Sequence, residues 1–107
     1  MLLAIDAGNT NIVFAVFDGD TIKGQWRCST TTERTADELG VWLHHLFTLS
    51  DVPVDAISGA IIATVVPAAE FSLKTLCRRY FNVDPMVVGD PDVKLDMNII
   101  MDRPSEV

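Results

Sequence analysis

Basic residues are scarce in this chain of 107 residues. Eight lysines and arginines stand against 15 aspartates and glutamates, which gives a formal net charge of -7 and a pI near 4.5. Nucleic acid and anionic lipid attract proteins through an excess of positive charge, so this balance argues against both as partners held by bulk attraction. We therefore expect no nucleic-acid or membrane partner, and an anionic ligand would need a local site.

Cysteine is equally rare. The two cysteines, Cys28 and Cys77, lie far apart and form no CxxC pair. This usage is typical of reduced thiols in a cytosolic protein rather than of a disulfide framework. We interpret both as small buried side chains.

Long hydrophobic runs are also absent from the sequence. The apolar start has no basic region and is interrupted by Asp6 too early for a signal peptide. The longest apolar run, residues 60–69, is broken by Thr64 and Pro67 and is too short to cross a bilayer. The sequence predicts a soluble, cytoplasmic protein.

The apolar residues that are present make up 49% of the chain, enough to bury a core in one globular domain or a piece of one. Continuous apolar runs predict strands over residues 2–7 and 11–17, the second buried on both faces. A turn at Asp18-Gly19-Asp20 leads to a third strand over residues 21–28. Its alternating pattern indicates one face in water.

Helices and strands alternate in the rest of the chain. Thr35 and Glu38 form a capping box that opens a helix, and Pro67 is suited to the first turn of a second helix. The β-branched run 57–66 predicts a strand covered on both faces, and residues 85–88 predict another that ends at residues 89–91. The predicted order is therefore βββαβαβ. Residues 92–107 receive no assignment. The core-facing stripe of the first helix is predicted at Leu39, Trp42, Leu43, Leu46 and Phe47.

The polar hexapeptide Asp6-Ala7-Gly8-Asn9-Thr10-Asn11 joins the first two strands in a tight hairpin. Its composition suits a loop that holds an anion. Gly8 can take a positive φ and lets a ligand approach the backbone, while loop N–H groups and the Thr10 hydroxyl can donate to phosphate oxygens. Asp6 could then act through a bound cation or an ordered water.

Plainer interpretations exist for each of these features. The hexapeptide could be merely a turn, with Asp6 as a turn or capping residue, although an unpaired carboxylate there would be costly. His44 and His45 diverge by about 100° on a helix, so we interpret them as solvated or partly packed rather than as metal ligands. Trp26 and Trp42 are interpreted as core or interface anchors rather than as a base-stacking platform.

Several short motifs run through the chain in a recognisable order. They are the hexapeptide with the strand after it, Trp26-Arg27, residues 34–38, residues 63–67 (Ala-Thr-Val-Val-Pro) and residues 102–107 (Asp-Arg-Pro-Ser-Glu-Val). Together they resemble the type III pantothenate kinases, which belong to the acetate and sugar kinase, Hsc70 and actin superfamily. The resemblance implies an α/β fold, a ribonuclease H-like or actin-like nucleotide-binding domain with a mixed sheet flanked by helices. Residues 1–107 would be the first of two such domains.

The activity implied by this resemblance is transfer of the γ-phosphoryl group of ATP to the primary hydroxyl of pantothenate, the first step of coenzyme A biosynthesis. It also implies Mg²⁺ and a monovalent cation, K⁺ or NH₄⁺, as cofactors, and a homodimer. Asp6 would act on the metal indirectly, through water. The resemblance assigns the ATP phosphates to Asp6, Ala7, Gly8, Asn9, Thr10, Asn11, Ile12 and Val13.

The resemblance implies no catalytic residue within these 107 positions. In such kinases the general base is the aspartate of a Gly-Ala-Asp-Arg element that follows Pro-x-Glu-Val, and it would lie beyond Val107. The second phosphate motif and the adenosine-binding segment belong to the C-terminal half. We therefore expect an N-terminal portion that does not phosphorylate pantothenate alone and that self-associates through exposed apolar surface.

Two other classes of function remain open from the sequence. One is a different kinase or a phosphatase of the same superfamily that shares the phosphate hairpin. The other is a non-catalytic regulatory protein. The acidic balance and the lack of a helix-turn-helix or a basic stripe argue against direct DNA binding by such a protein.

Overall fold

The computed structural model describes residues 1–31 and 33–88. Its elements follow the predicted βββαβαβ order, with a short 3₁₀ turn at Val54–Ala56 that the sequence did not predict. The predicted strand end at residues 89–91 and the unassigned residues 92–107 lie outside the described part. The strands are β1 (Leu2–Ala7), β2 (Asn11–Asp18), β3 (Thr21–Ser29), β4 (Gly59–Thr64) and β5 (Met86–Val88), and the helices are α1 (Ala36–Leu49) and α2 (Pro67–Tyr80).

The five strands form one mixed sheet in the order β3-β2-β1-β4-β5. β1 and β2 are antiparallel, as are β2 and β3, whereas β4 is parallel to both β1 and β5. The connections from β3 to β4 and from β4 to β5 therefore cross the sheet in the same direction. Because such crossovers are right-handed, both helices lie on the same face of the sheet. The predicted mixed sheet with helices packed on it is confirmed.

The main core lies between this face and the two helices. β1 and β2 contribute Leu3, Ile5, Phe14 and Val16, which meet side chains from α1 and α2. The predicted stripe on α1 is confirmed: Leu39, Leu43 and Phe47 are buried, and Trp42 and Leu46 are half-buried. The Trp42 ring centroid lies 5.4 Å from that of Phe14. Fully buried helix residues in this core are Leu43, Phe47, Leu73, Leu76 and Cys77.

The opposite face of the sheet is built from small side chains. Ala4, Ala15 and Ala63 form a second cluster that contains no residue of either helix. The larger neighbours Val13 and Phe17 stay partly exposed. The prediction that β2 is buried on both faces is thus right for its helix side and only partly right for the other.

Two strand and helix boundaries have local causes. β4 is shorter than the predicted 57–66 at both ends. It starts at Gly59, because Ile57 caps the 3₁₀ turn. It ends at Thr64, whose hydroxyl oxygen accepts the Val66 N–H at 2.9 Å and turns the chain into α2 at Pro67. The predicted capping box of α1 is confirmed. The Thr35 hydroxyl accepts the Glu38 N–H, and the Glu38 carboxylate accepts the Thr35 N–H at 3.0 Å.

The environments of the two histidines and the two cysteines test how we interpreted them from the sequence. His44 donates from Nε2 to the Tyr80 carbonyl at 3.0 Å and packs edge-on against the Tyr80 ring, whereas His45 is exposed, so the predicted packed or solvated histidines are confirmed. Burial raises the pKa of the Cys77 thiol to about 12. Cys28 is only partly buried, which limits the prediction of two buried thiols to Cys77.

Within residues 1–31 and 33–88, neither helix has the length and apolar character that a membrane span requires.

Several large hydrophobic side chains remain exposed to solvent, among them Val41, Leu49, Phe71 and Met86. Exposed apolar side chains favour self-association, which stays a prediction.

Replacing Leu43 with alanine should lower the free energy of unfolding by about 2–5 kcal/mol, because this side chain is 0% exposed and its loss leaves a cavity in the main core. Leu49→Ala is the matched control on the same helix. Leu49 is 68% exposed, and its loss should change stability by no more than about 0.5 kcal/mol. Urea unfolding followed by circular dichroism measures both. Equal losses in the two variants would contradict the assigned core.

Candidate anion-binding site

The hairpin between β1 and β2 is a three-residue loop of Gly8, Asn9 and Thr10. It is closed by the Gly8 N–H, which donates to the Asn11 carbonyl at 2.9 Å. Because β1 and β4 are parallel, the loop sits at their shared carboxyl edge, the edge at which open α/β sheets bind ligands. The hexapeptide predicted as an anion site therefore occupies a position suited to one.

The conformation of Gly8 corrects one expectation. Its φ does not lie in the left-handed region, which within the described chain contains a glycine only at Gly19, with φ 61°. A glycine is needed here instead because its Cα lies close to the Asn11 backbone across the loop. A Cβ at Gly8 would lie 3.3 Å from the Asn11 carbonyl oxygen, tighter than an ordinary van der Waals contact.

The carbonyl oxygens around the loop are tied back to neighbouring strands. The Ala7 oxygen accepts the Val65 N–H at 3.2 Å from the end of β4. On the other side, Thr30 uses its hydroxyl to donate to the Gly8 oxygen at 2.8 Å and its N–H to donate to the Thr10 oxygen at 2.8 Å. Three acceptors that could repel an anion are thus engaged within the protein.

The backbone N–H groups of the loop, unlike its carbonyl oxygens, are not all engaged within the described part of the protein. Within the described residues, the N–H groups of Asn9 and Thr10 donate to no protein acceptor, and both residues are exposed. Successive backbone N–H groups at a tight turn form a concave site for an anion. A loop with its carbonyls tied back and its N–H groups outward can hold a phosphate without a basic side chain.

Asp6 lies beside this loop on the sheet face opposite the helices. Its side chain is 7% exposed, and it is the one charged residue among those found buried in the described part of the chain. Its cross-strand neighbours are Val13 on β2 and Ala63 on β4. A carboxylate is costly to bury unless it is paired or hydrogen-bonded.

The other predicted site residues do not all place their side chains on the same face of the sheet. Ala7 and Ile12 point their side chains into the helix-side core, so only their backbones lie near the loop. Val13 shares the face of Asp6 and is partly exposed. Asn11 is the first residue of β2 and pairs with Ser29. The structure therefore brings the backbones of the predicted set together at one edge, but not all of their side chains.

Both helices begin at this same edge. α2 starts three residues after the end of β4, and α1 follows the end of β3, which runs parallel to β1. The partial positive charge of each helix N-terminus therefore lies on the loop side of the sheet. Acidic residues in the first turns offset part of it: Asp37 and Glu38 in α1 and Glu70 in α2.

Two residues near the site were not predicted from the sequence. Thr30 contacts the loop directly, and Arg27 lies on the face of Asp6, because Arg27 pairs with Val13 and Val13 pairs with Asp6. Two strand spacings separate the backbones of Arg27 and Asp6, about 10 Å. A correct pairing register between β2 and β3 is the signal that would have found both.

A mixed sheet in this order, with a polar hairpin between its first two strands and both helices on one face, has the α/β fold of the sugar kinase, actin-like type. A solved structure from Porphyromonas gingivalis, described as a proposed N-acetylglucosamine kinase, has the same fold. It matches with a TM-score of 0.57 over 82% of this chain and 33% of that chain, at 16% sequence identity. At this identity the likeness concerns the fold alone.

The chain belongs to the type III pantothenate kinase family, whose family model matches residues 2–107. The type III pantothenate kinase of Paramagnetospirillum magneticum is 65% identical over 107 residues, which are 100% of this chain and 41% of that protein. The type III pantothenate kinase of Rhodospirillum rubrum is 58% identical over 107 residues, 100% of this chain and 42% of that protein. The chain thus spans about two fifths of the length of these curated relatives.

Addition of magnesium pyrophosphate should shift the backbone amide signals of Asn9 and Thr10, because these N–H groups face outward from a loop whose carbonyls are tied back. The matched control is the turn at Gly19 and Asp20, which joins β2 and β3 at the opposite end of the strands. Two-dimensional NMR of the isotope-labelled protein makes the measurement. Equal shifts in both hairpins, or shifts in neither, would contradict a specific anion site.

Proposed function

We propose that residues 1–107 form the first actin-like domain of an enzyme that phosphorylates pantothenate at the expense of ATP, giving 4'-phosphopantothenate. Membership of the type III pantothenate kinase family supports the reaction. The observation that carries the proposal is the loop at Gly8 to Thr10, which offers outward N–H groups at the carboxyl edge of the sheet. A cytoplasmic location and a homodimer belong to the same proposal.

The hairpin would hold the terminal phosphates of ATP. The transferred phosphoryl group carries spread negative charge, and catalysis of its transfer depends mainly on positioning and on neutralisation of that charge. The hexapeptide contains no lysine or arginine. Neutralisation therefore falls to the Asn9 and Thr10 N–H groups, the Thr10 hydroxyl and the cation that accompanies ATP.

The residues beside the loop fit Mg²⁺, which prefers carboxylate oxygens and retains much of its water. Asp6 offers a buried carboxylate next to the loop and would hold the ion indirectly, through a water ligand. When bound, Mg²⁺ supplies positive charge at the phosphate oxygens. K⁺ or NH₄⁺ enters the proposal through the family resemblance alone, as does a general-base aspartate located beyond residue 107.

The proposal is tested with the protein made from the complete open reading frame. Purified protein should convert ATP and pantothenate to ADP and 4'-phosphopantothenate, measured by coupled ADP release and mass spectrometry of the product. N-acetylglucosamine serves as the control acceptor, because the fold is shared with a structure described as a kinase of that sugar. ADP release with the sugar but not with pantothenate would overturn the proposal.

In the same protein, Asp6→Asn should lower kcat by about a hundredfold while changing the Kd for ATP by less than about threefold. The carboxylate is expected to act more strongly as charge moves in the transition state than in the bound ground state. Asp20→Asn is the matched control, since Asp20 is exposed in the turn at the opposite edge. Steady-state kinetics and calorimetric ATP titration separate the two effects. An unchanged kcat in Asp6→Asn would show that the carboxylate is structural only.

A further inference from the structure

Thr30 makes two hydrogen bonds to the hairpin. Its hydroxyl donates to the Gly8 carbonyl at 2.8 Å, and its N–H donates to the Thr10 carbonyl at 2.8 Å. The residue follows the last position of β3 and is partly buried. One residue distant in sequence thus contacts both ends of the three-residue loop, Gly8 through its hydroxyl and Thr10 through its backbone N–H.

These bonds change the electrostatics of the loop. A backbone carbonyl oxygen carries partial negative charge and must find a donor or face solvent. If the Gly8 oxygen lost the Thr30 hydroxyl, an unpaired acceptor would remain at the edge where the loop N–H groups converge. A hydrogen bond to that oxygen therefore favours the loop conformation that presents donors to an anion.

The position of Thr30 depends on an irregularity in the β2–β3 pair. Near the turn, Phe17 pairs with Ile22, but the next pair is Val16 with Gly24, so Lys23 is an extra residue in β3. Beyond this bulge Asn11 pairs with Ser29. The one-residue shift therefore sets Thr30 opposite Thr10, and a regular ladder would have set Ser29 there.

We propose that Thr30 is a positioning residue of the phosphate hairpin, holding the Gly8 carbonyl away from the bound triphosphate so that the N–H groups of the loop face it. The inference rests on the proposed function, since it takes ATP as the ligand. It assigns a role to a residue outside the hexapeptide, directly after the end of β3.

The experiment compares Thr30→Val and Thr30→Ser in the protein from the complete open reading frame. Valine keeps the shape and the backbone N–H but removes the hydroxyl, and serine keeps the hydroxyl. Thr30→Val should lower kcat/KM for ATP about tenfold, which is the scale of one lost hydrogen bond. The KM for pantothenate should stay within about twofold of the parent value. Thr30→Ser should restore kcat/KM to within about threefold. Thr21→Val, at the exposed start of the same strand, is the matched control and should behave as the parent protein.

Amide hydrogen exchange provides a readout that does not require turnover. In Thr30→Val the Gly8 amide, which closes the loop, should exchange several-fold faster, while amides in the middle of β1 keep their protection. Unchanged exchange at Gly8 would overturn the inference whether or not the protein phosphorylates pantothenate. Equal fraying throughout β1 and β2 would also overturn it, because Thr30 would then support the sheet generally.

The outcomes separate this inference from the proposed function. An active parent protein with unchanged Thr30→Val kinetics overturns the role of Thr30 and leaves the function intact. A Thr30→Ser variant as impaired as Thr30→Val also overturns it, since the hydroxyl would not be the acting group. A parent that binds ATP but does not phosphorylate pantothenate overturns the function, and the variants' ATP affinities then decide the role of Thr30. A parent that binds no ATP overturns both.

Discussion

The structure depends on the pairing of β1 with strands on both of its sides. β1 is antiparallel to β2 and parallel to β4, so its backbone is hydrogen-bonded along both edges. Its helix-side residues Leu3 and Ile5 are fully buried. This double pairing fixes where β1 ends, and hence where the loop after Ala7 meets the ends of β3 and β4. The position of the site is therefore set by a strand that is buried from Leu3 to Ala7.

Much of the fold could be predicted from local patterns. Thr35 and Glu38 show the start of α1 through a capping box, and Pro67 marks the first turn of α2. The hairpin can be predicted because its polar residues separate two apolar runs. These signals work because each depends on residues within a few positions of one another.

The features that were missed depend on pairing between distant residues. The bulge at Lys23 leaves no local signal, yet it decides that Thr30, and not Ser29, faces the loop. The positive φ expected at Gly8 was wrong. The loop is closed by a hydrogen bond from Gly8 to Asn11, and it requires a glycine because the Asn11 carbonyl oxygen lies too close for a Cβ. The burial of Asp6, which is 7% exposed in a central strand paired on both sides, likewise depends on strand pairing that the local sequence does not reveal.

The central claim is that the hairpin of this type III pantothenate kinase family member binds phosphate through its backbone. A crystal structure of the protein from the complete open reading frame, with magnesium and a non-hydrolysable ATP analogue, tests it most directly. We expect terminal phosphate oxygens at hydrogen-bond distance, about 2.7–3.2 Å, from the N atoms of Asn9 and Thr10. A triphosphate bound elsewhere, with the Gly8 to Thr10 loop contacting no part of it, would show that the hairpin does not bind phosphate.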